Sequence, residues 1–136
     1  MFSTQQKSKR VSLNYDSGME FVWRLEDAFE QKDISKFFSL VSLDFKKDFL
    51  KFKYNLYKIT SQQKSLKLYI HFIDKRVDSK SNIYSYDICW IKQFTGYMDE
   101  YCYKELGMAT IALKASGSKQ DLSFRLYDIS GESPFV

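Results

Sequence analysis

Between Ile83 and Phe94 the chain reads I-Y-S-Y-D-I-C-W-I-K-Q-F. In an extended conformation Tyr84, Tyr86, Ile88 and Trp90 share one face, and Ile83, Cys89 and Ile91 share the other. A sheet with one face in water alternates apolar with polar residues. This strand is bulky and apolar on both sides, so both faces of its sheet need covering. Helices can cover one side; a partner, a ligand or the chain's own tail must cover the other.

A chain of 136 residues suffices for one domain with a real core and is short for two. Aromatic residues make up 18%, with 12 Phe and 10 Tyr, while one Pro and 5 Gly argue against disorder and against a many-turned sandwich. The longest apolar runs fall far below the ~18 residues of a membrane span, so the sequence reads as a soluble domain without membrane association. Its first ten residues carry charge but no apolar stretch, unlike a signal peptide. With Met1 as the native start the protein reads as cytoplasmic; a leader replaced by Met1 would make it exported. The net charge of +4 is a positive excess made almost entirely of lysine; several lysines sit between Lys46 and Lys80, with Asp44, Asp48, Asp74 and Asp78 mixed among them. A nucleic-acid binder needs a denser basic stripe and a recognisable motif, so a solvated lysine-rich surface is the better reading.

Residues 1–16 read as a flexible arm or edge segment, and 17–136 as a single domain. Ser17-Gly-Met-Glu20 has the form of a capping box, followed by Met19, Val22, Leu25 and Phe29 on one helical face. Lys32-Asp33 breaks that pattern, and Asp33 can cap a short second helix through Phe37, Phe38, Leu40 and Val41. Asp44 is positioned to cap a third helix carrying Phe45, Phe49, Phe52, Leu56 and Ile59 in a stripe. From Leu66 the period switches to two, with Leu66, Leu68, Ile70 and Phe72 opposed by Lys67, Tyr69 and His71. The turn cluster from Asp78 to Asn82 leads into the strand from Ile83. Thr95-Gly96 marks a hairpin, a long strand runs from about Tyr101 to Leu113, and a last one carries Leu122, Phe124 and Leu126. Three helices followed by about four antiparallel strands make an α+β domain, with the helices packed on one side of a curved sheet.

Two stretches carry a resemblance. The first runs from Leu25 to Phe45 through the Lys32-Asp33 step; the second is Gly107-M-A-T-I-A-L-Lys114, followed by the final strand and Ile129-Ser-Gly131. Together with the element order they resemble the nuclear-transport-factor-2-like (cystatin-like α+β) superfamily, although Leu122 stands where a tryptophan is often found. The resemblance implies a cone-shaped domain whose sheet wraps the helices and leaves a pocket. It does not select a function, because such folds serve isomerases, cyclases, dehydratases and transport adaptors alike.

Enzymes of that kind place an Asp or His base and a Tyr or Asp acid inside the cone. His71, the only histidine, and Asp87 are the weak candidates for such a pair, if strand register brings them together. Tyr84, Tyr86, Trp90 and Tyr103 can line a pocket for a small apolar ligand, but large amphipathic rings on a sheet are more often packing or interface residues. If Thr95-Gly96 is a two-residue turn, Cys89 and Cys102 face each other across the hairpin; a longer turn separates them. Their spacing fits free buried thiols better than a metal site. Glu26-Asp27 is an acidic pair, but adjacent residues do not share a helical face. No zinc, Walker, dinucleotide, nucleophile-elbow or EF-hand pattern occurs, so the sequence implies neither cofactor nor metal. The functional expectation is a non-catalytic interaction or ligand-binding domain that forms a homodimer, or engages a protein partner, through its sheet. The alternative is a pocket enzyme of the isomerase, cyclase or dehydratase type.

Overall fold

The computed structural model describes residues 15–98, 100–118 and 120–136. The arm expected at the amino terminus lies, up to residue 14, outside them. Helices α1 (Ser17–Glu30), α2 (Ile34–Ser39) and α3 (Phe49–Gln62) precede strands β1 (Gln63–Asp78), β2 (Ile83–Gly96), β3 (Cys102–Ser118) and β4 (Asp121–Gly131). The strands form one antiparallel sheet in sequence order. Among the described residues no helix is long and apolar enough to cross a membrane.

Aspartates start all three helices, though not all at the expected positions. The cap of α1 is Asp16 rather than Ser17: its Oδ1 accepts from the Met19 amide at 2.9 Å. A carboxylate wins here because the same group also receives Lys75 Nζ at 2.5 Å and the Tyr86 hydroxyl. Asp33 caps α2 as expected, accepting from the Lys36 amide at 3.0 Å. Helix α3 starts four residues later than its apolar stripe suggests, because Asp48 and not Asp44 caps it. Asp44 is instead held by Ser42 and Lys114, which keeps residues 44–47 out of the helix while Phe45 is still buried. The face that α3 buries is Phe52, Leu56 and Thr60, with the Thr60 hydroxyl returning to the Leu56 carbonyl at 3.0 Å.

The helices pack on the sheet face that carries Leu66, Leu68, Tyr86, Ile88, Trp90, Ile111, Leu113 and Leu126. Gly107 sits directly opposite Trp90 in the β2–β3 ladder. A Cβ there would come within 2.4 Å of the indole, so only glycine lets the ring lie across the strand. Phenyl rings fill the interior. Phe135, fully buried, closes it from the carboxy-terminal side, edge-on to Phe29 at 5.3 Å and to Phe37 at 5.0 Å. The chain's own tail therefore covers part of the helix-facing side.

Both sheet edges are occupied from within the chain. On the β4 edge, the Ser42 amide donates to the Leu126 carbonyl and the Leu126 amide to the Leu40 carbonyl, each at 2.8 Å. On the β1 edge, the Leu68 amide donates to the Glu30 carboxylate at 2.7 Å, and Glu26 accepts from the Ile70 amide one turn back. Carboxylates of α1 thus satisfy main-chain donors that an open edge would offer to another strand.

The β2–β3 connection is longer than a two-residue turn: Thr95 pairs with Cys102, and Cys89 pairs with Met108. The cysteines are therefore apart and free. Cys102 is exposed and Cys89 half-buried rather than both being buried.

Candidate functional site

The sheet has a filled side and a bare side, and the residues expected at an interface fall mostly on the filled one. Tyr86 is fully buried and Trp90 is 6% exposed. Trp90 Nε1 donates to the Glu132 carbonyl at 2.7 Å, and the Tyr86 hydroxyl donates to Asp16 at 3.1 Å. Tyr84 is half-buried, edge-on to Phe124 with ring centroids 5.3 Å apart. Tyr103 reaches the surface but stacks on Phe94 at 5.2 Å. Of the two apolar faces of β2, the Tyr-Tyr-Ile-Trp face is the larger and went to the helices, because burying more area contributes more to stability.

The bare side is drawn by ladder register. One row runs Tyr69, Ile91, Leu106 across β1, β2 and β3; the next runs His71, Cys89, Met108. Tyr69 is 55% exposed, Leu106 66% and Met108 61%. These residues form an apolar band across three strands, facing away from every helix. On one flank lies a row of Lys67, Gln93 and Lys104. On the other lie Asp74 and Asp87 with Arg76, whose guanidinium binds Asp87 through two nitrogens. Hydrogen bonds from Arg76 and then Thr110 hold the Asp87 carboxyl below the usual carboxylate range.

The acid/base candidates stand on this outer side. His71 is exposed and opposite Cys89, while Asp87 is opposite Asp74 and saturated by Arg76 and Thr110. Strand register does not bring His71 and Asp87 into one pair, and neither enters the interior of the cone.

No protein-family model and no curated protein matches the sequence. Solved structures do. A nuclear transport factor 2 (NTF2-like) superfamily protein from Salmonella enterica serovar Typhimurium superposes with a TM-score of 0.67 at 9% identity, over 85% of this chain and 87% of that one. The fold is nuclear-transport-factor-2-like. Bd1075 of Bdellovibrio bacteriovorus also matches, with a TM-score of 0.51 at 17% identity, over 84% of this chain but 39% of its own length.

Two further polar groups stand out in this nuclear-transport-factor-2-like domain: Lys92, inside the cone and unremarked in the sequence, and Glu26 on the β1 edge, which the sequence reading set aside with Asp27. Lys92 is 5% exposed; its ammonium lies 3.3 Å from Glu105 and 5.8 to 6.0 Å from the ring centroids of Phe29, Trp90 and Phe94. Glu26 is half-buried, and its Oε2 has no hydrogen-bond partner among the described residues. Burial first, and then the neighbouring charges of Glu30 and Asp27, push its carboxyl up to about 7. The signal for Glu26 was available in the four-residue spacing to Glu30, which puts both carboxylates on one face. For Lys92 there was none, since a lysine among apolar residues on a strand reads as surface.

Proposed function

We propose that this domain is a non-catalytic interaction module that self-associates through the outer face of its sheet. The observation that carries this reading is the in-register apolar band of Tyr69, Ile91 and Leu106 beside Cys89 and Met108, left bare by the helices. Because stretches of both sheet edges are occupied by the chain itself, the face rather than an edge is the available surface.

A second copy suits this surface because the flanks are complementary. A two-fold axis lying in the interface, perpendicular to the strands, sets the Lys67 and Lys104 row of one copy against the Asp74, Asp87 and Arg76 flank of the other, which keeps one net negative charge. All four strands, about 4.8 Å apart and some ten residues long, together present on the order of 600 Å² of outer face. That approaches the ~800 Å² per partner of a standard interface.

The test is sedimentation equilibrium on the purified domain and on Leu106→Asp, with circular dichroism to confirm folding. Wild type is expected to sediment as a dimer and the variant as a monomer of unchanged secondary structure. A wild-type monomer at tens of micromolar refutes self-association.

A further inference from the structure

Helix α3 buries one row of residues and exposes a second, apolar one. Phe52, Leu56 and Thr60 face the core, whereas Leu50, Tyr54 and Tyr57 are 76%, 67% and 64% exposed. Spacings of four and three residues set those three in a single line along the helix, on the side away from the core. At about 100° per residue, Lys53 flanks the line on one side, and Lys51 and Lys58 flank it on the other. Helix α1 is built differently. At the same spacing, opposite its own core face, it carries Glu20, Arg24 and Asp27, the mixed charges of an ordinary solvated surface.

The charge around the exposed line of α3 is of one sign. Between residues 46 and 58 five lysines stand against one aspartate, and that aspartate, Asp48, is engaged as the helix cap. The helix itself contains no acidic residue. Lys47 reaches Asp128 at 3.8 Å. Lys46, Lys51, Lys53 and Lys58 have no carboxylate within ion-pair distance among the described residues.

A leucine and two tyrosines bordered on both sides by unpaired ammonium groups suit a helix lying in the plane of a membrane interface. Tyrosine rings settle at headgroup depth, and lysine stems cover apolar surface while their charges meet anionic headgroups. A nucleic acid would engage the lysines but leave Leu50 in water. The line spans little more than one heptad, too short for a coiled-coil seam with a partner helix.

We infer that α3 docks on a bilayer of anionic lipid, with Leu50, Tyr54 and Tyr57 inserted at the interface and Lys51, Lys53 and Lys58 on the headgroups. This mode needs no membrane-spanning segment. It is reversible, because one line of three side chains buries little apolar area, and salt weakens it by screening the headgroup charge. The surface stands on the helix side of the sheet, so docking does not rest on self-association through the outer face.

The experiment sediments the whole chain with sucrose-loaded vesicles, either of phosphatidylcholine alone or of phosphatidylcholine mixed with phosphatidylglycerol. Two variants change only exposed positions, Leu50→Ser/Tyr54→Ser/Tyr57→Ser and Lys51→Gln/Lys53→Gln/Lys58→Gln. Wild type is expected to partition onto the anionic vesicles at least tenfold more strongly than onto the neutral ones, and to be released by added salt. Each variant, at unchanged melting temperature, should lose at least tenfold of that binding. Amide NMR with anionic bicelles carrying a gadolinium-chelating lipid locates the contact in the wild type alone, where signals of Leu50, Tyr54 and Tyr57 should broaden most. Failure of wild type to bind the anionic vesicles, or equal partition onto both kinds, overturns the proposal whether or not the variants fold. So does broadening centred on the outer sheet face. A folded serine variant that binds as wild type does also overturns it, since the lysines alone would then be recognised, as any polyanion recognises them.

Discussion

Gly18 lies directly beneath the phenol of Tyr86: a methyl group built on its Cα would fall 2.0 Å from the hydroxyl oxygen and 2.8 Å from Cζ. The hydroxyl is fixed in that position by Asp16, 3.1 and 3.2 Å from its two carboxylate oxygens. The cap of α1 and the middle of β2 are therefore one packing unit. Asp16 closes the helix end, holds Lys75 and positions the buried ring.

Gly18→Ala is expected to destabilise the domain by about 2 kcal/mol, the scale of overpacking in a tight core. Tyr86→Phe should cost about 1 kcal/mol for the lost hydrogen bond. The double variant should be less destabilised than the sum, because removing the hydroxyl removes the closest clash. Urea unfolding of the four proteins checks this; strict additivity would show that the two residues do not share the constraint.

Trp90 and Leu106 separate packing from association. Trp90→Phe removes the bond to the Glu132 carbonyl and part of a buried ring, for an expected loss of about 1–3 kcal/mol at unchanged oligomeric state. Leu106→Asp acts at a 66% exposed position and should alter sedimentation with little effect on the monomer's unfolding. A Trp90 variant that dissociates without losing stability would reverse these assignments.

Removing the ring of Phe135 opens the interior between Phe29 and Phe37. Phe135→Ala should cost about 3–4 kcal/mol, as for other fully buried phenyl truncations. Amide exchange in α1 and α2 should accelerate most. Exchange unchanged in both helices would show that the tail does not contribute to holding them.

Glu26 gives the domain an unusual pH dependence. Its folded-state carboxyl titrates at about 7 against an ordinary 4.5, so the folded protein binds more protons between those values. Stability from this group is therefore complete below about 4.5, falls as pH rises, and is gone above about 7. Discounted for its half-exposed position, the loss is about 1–2 kcal/mol. Melting temperatures at pH 5 and pH 8 should differ by several degrees in wild type and by much less in Glu26→Gln, whose amide is neutral throughout. Identical pH dependence in both proteins would assign the effect to other groups.

The helix order, the short α2 behind Asp33 and the switch to strands near Leu66 were legible because they rest on local signals, caps and apolar periodicity, which act within a few residues. The start of α3 was not. Asp44 and Asp48 are equally good caps in isolation, and a lysine on β3, Lys114, took Asp44 out of contention. The same limit governed the site residues. His71 and Asp87 sit on neighbouring strands, yet the ladder register sets His71 against Cys89 and Asp87 against Asp74.

From sequence alone the chain was committed to helices followed by a four-stranded sheet with two apolar faces, because side-chain alternation is a property of the extended backbone itself. Which face would be buried was decided only by tertiary structure. Helix packing chose the Tyr86 and Trp90 side and left Tyr69, Leu106 and Met108 in water. The meeting of Glu26 and Glu30 with the β1 edge likewise required the folded chain. Such contacts join residues tens of positions apart, and no local preference encodes which distant groups will share a space.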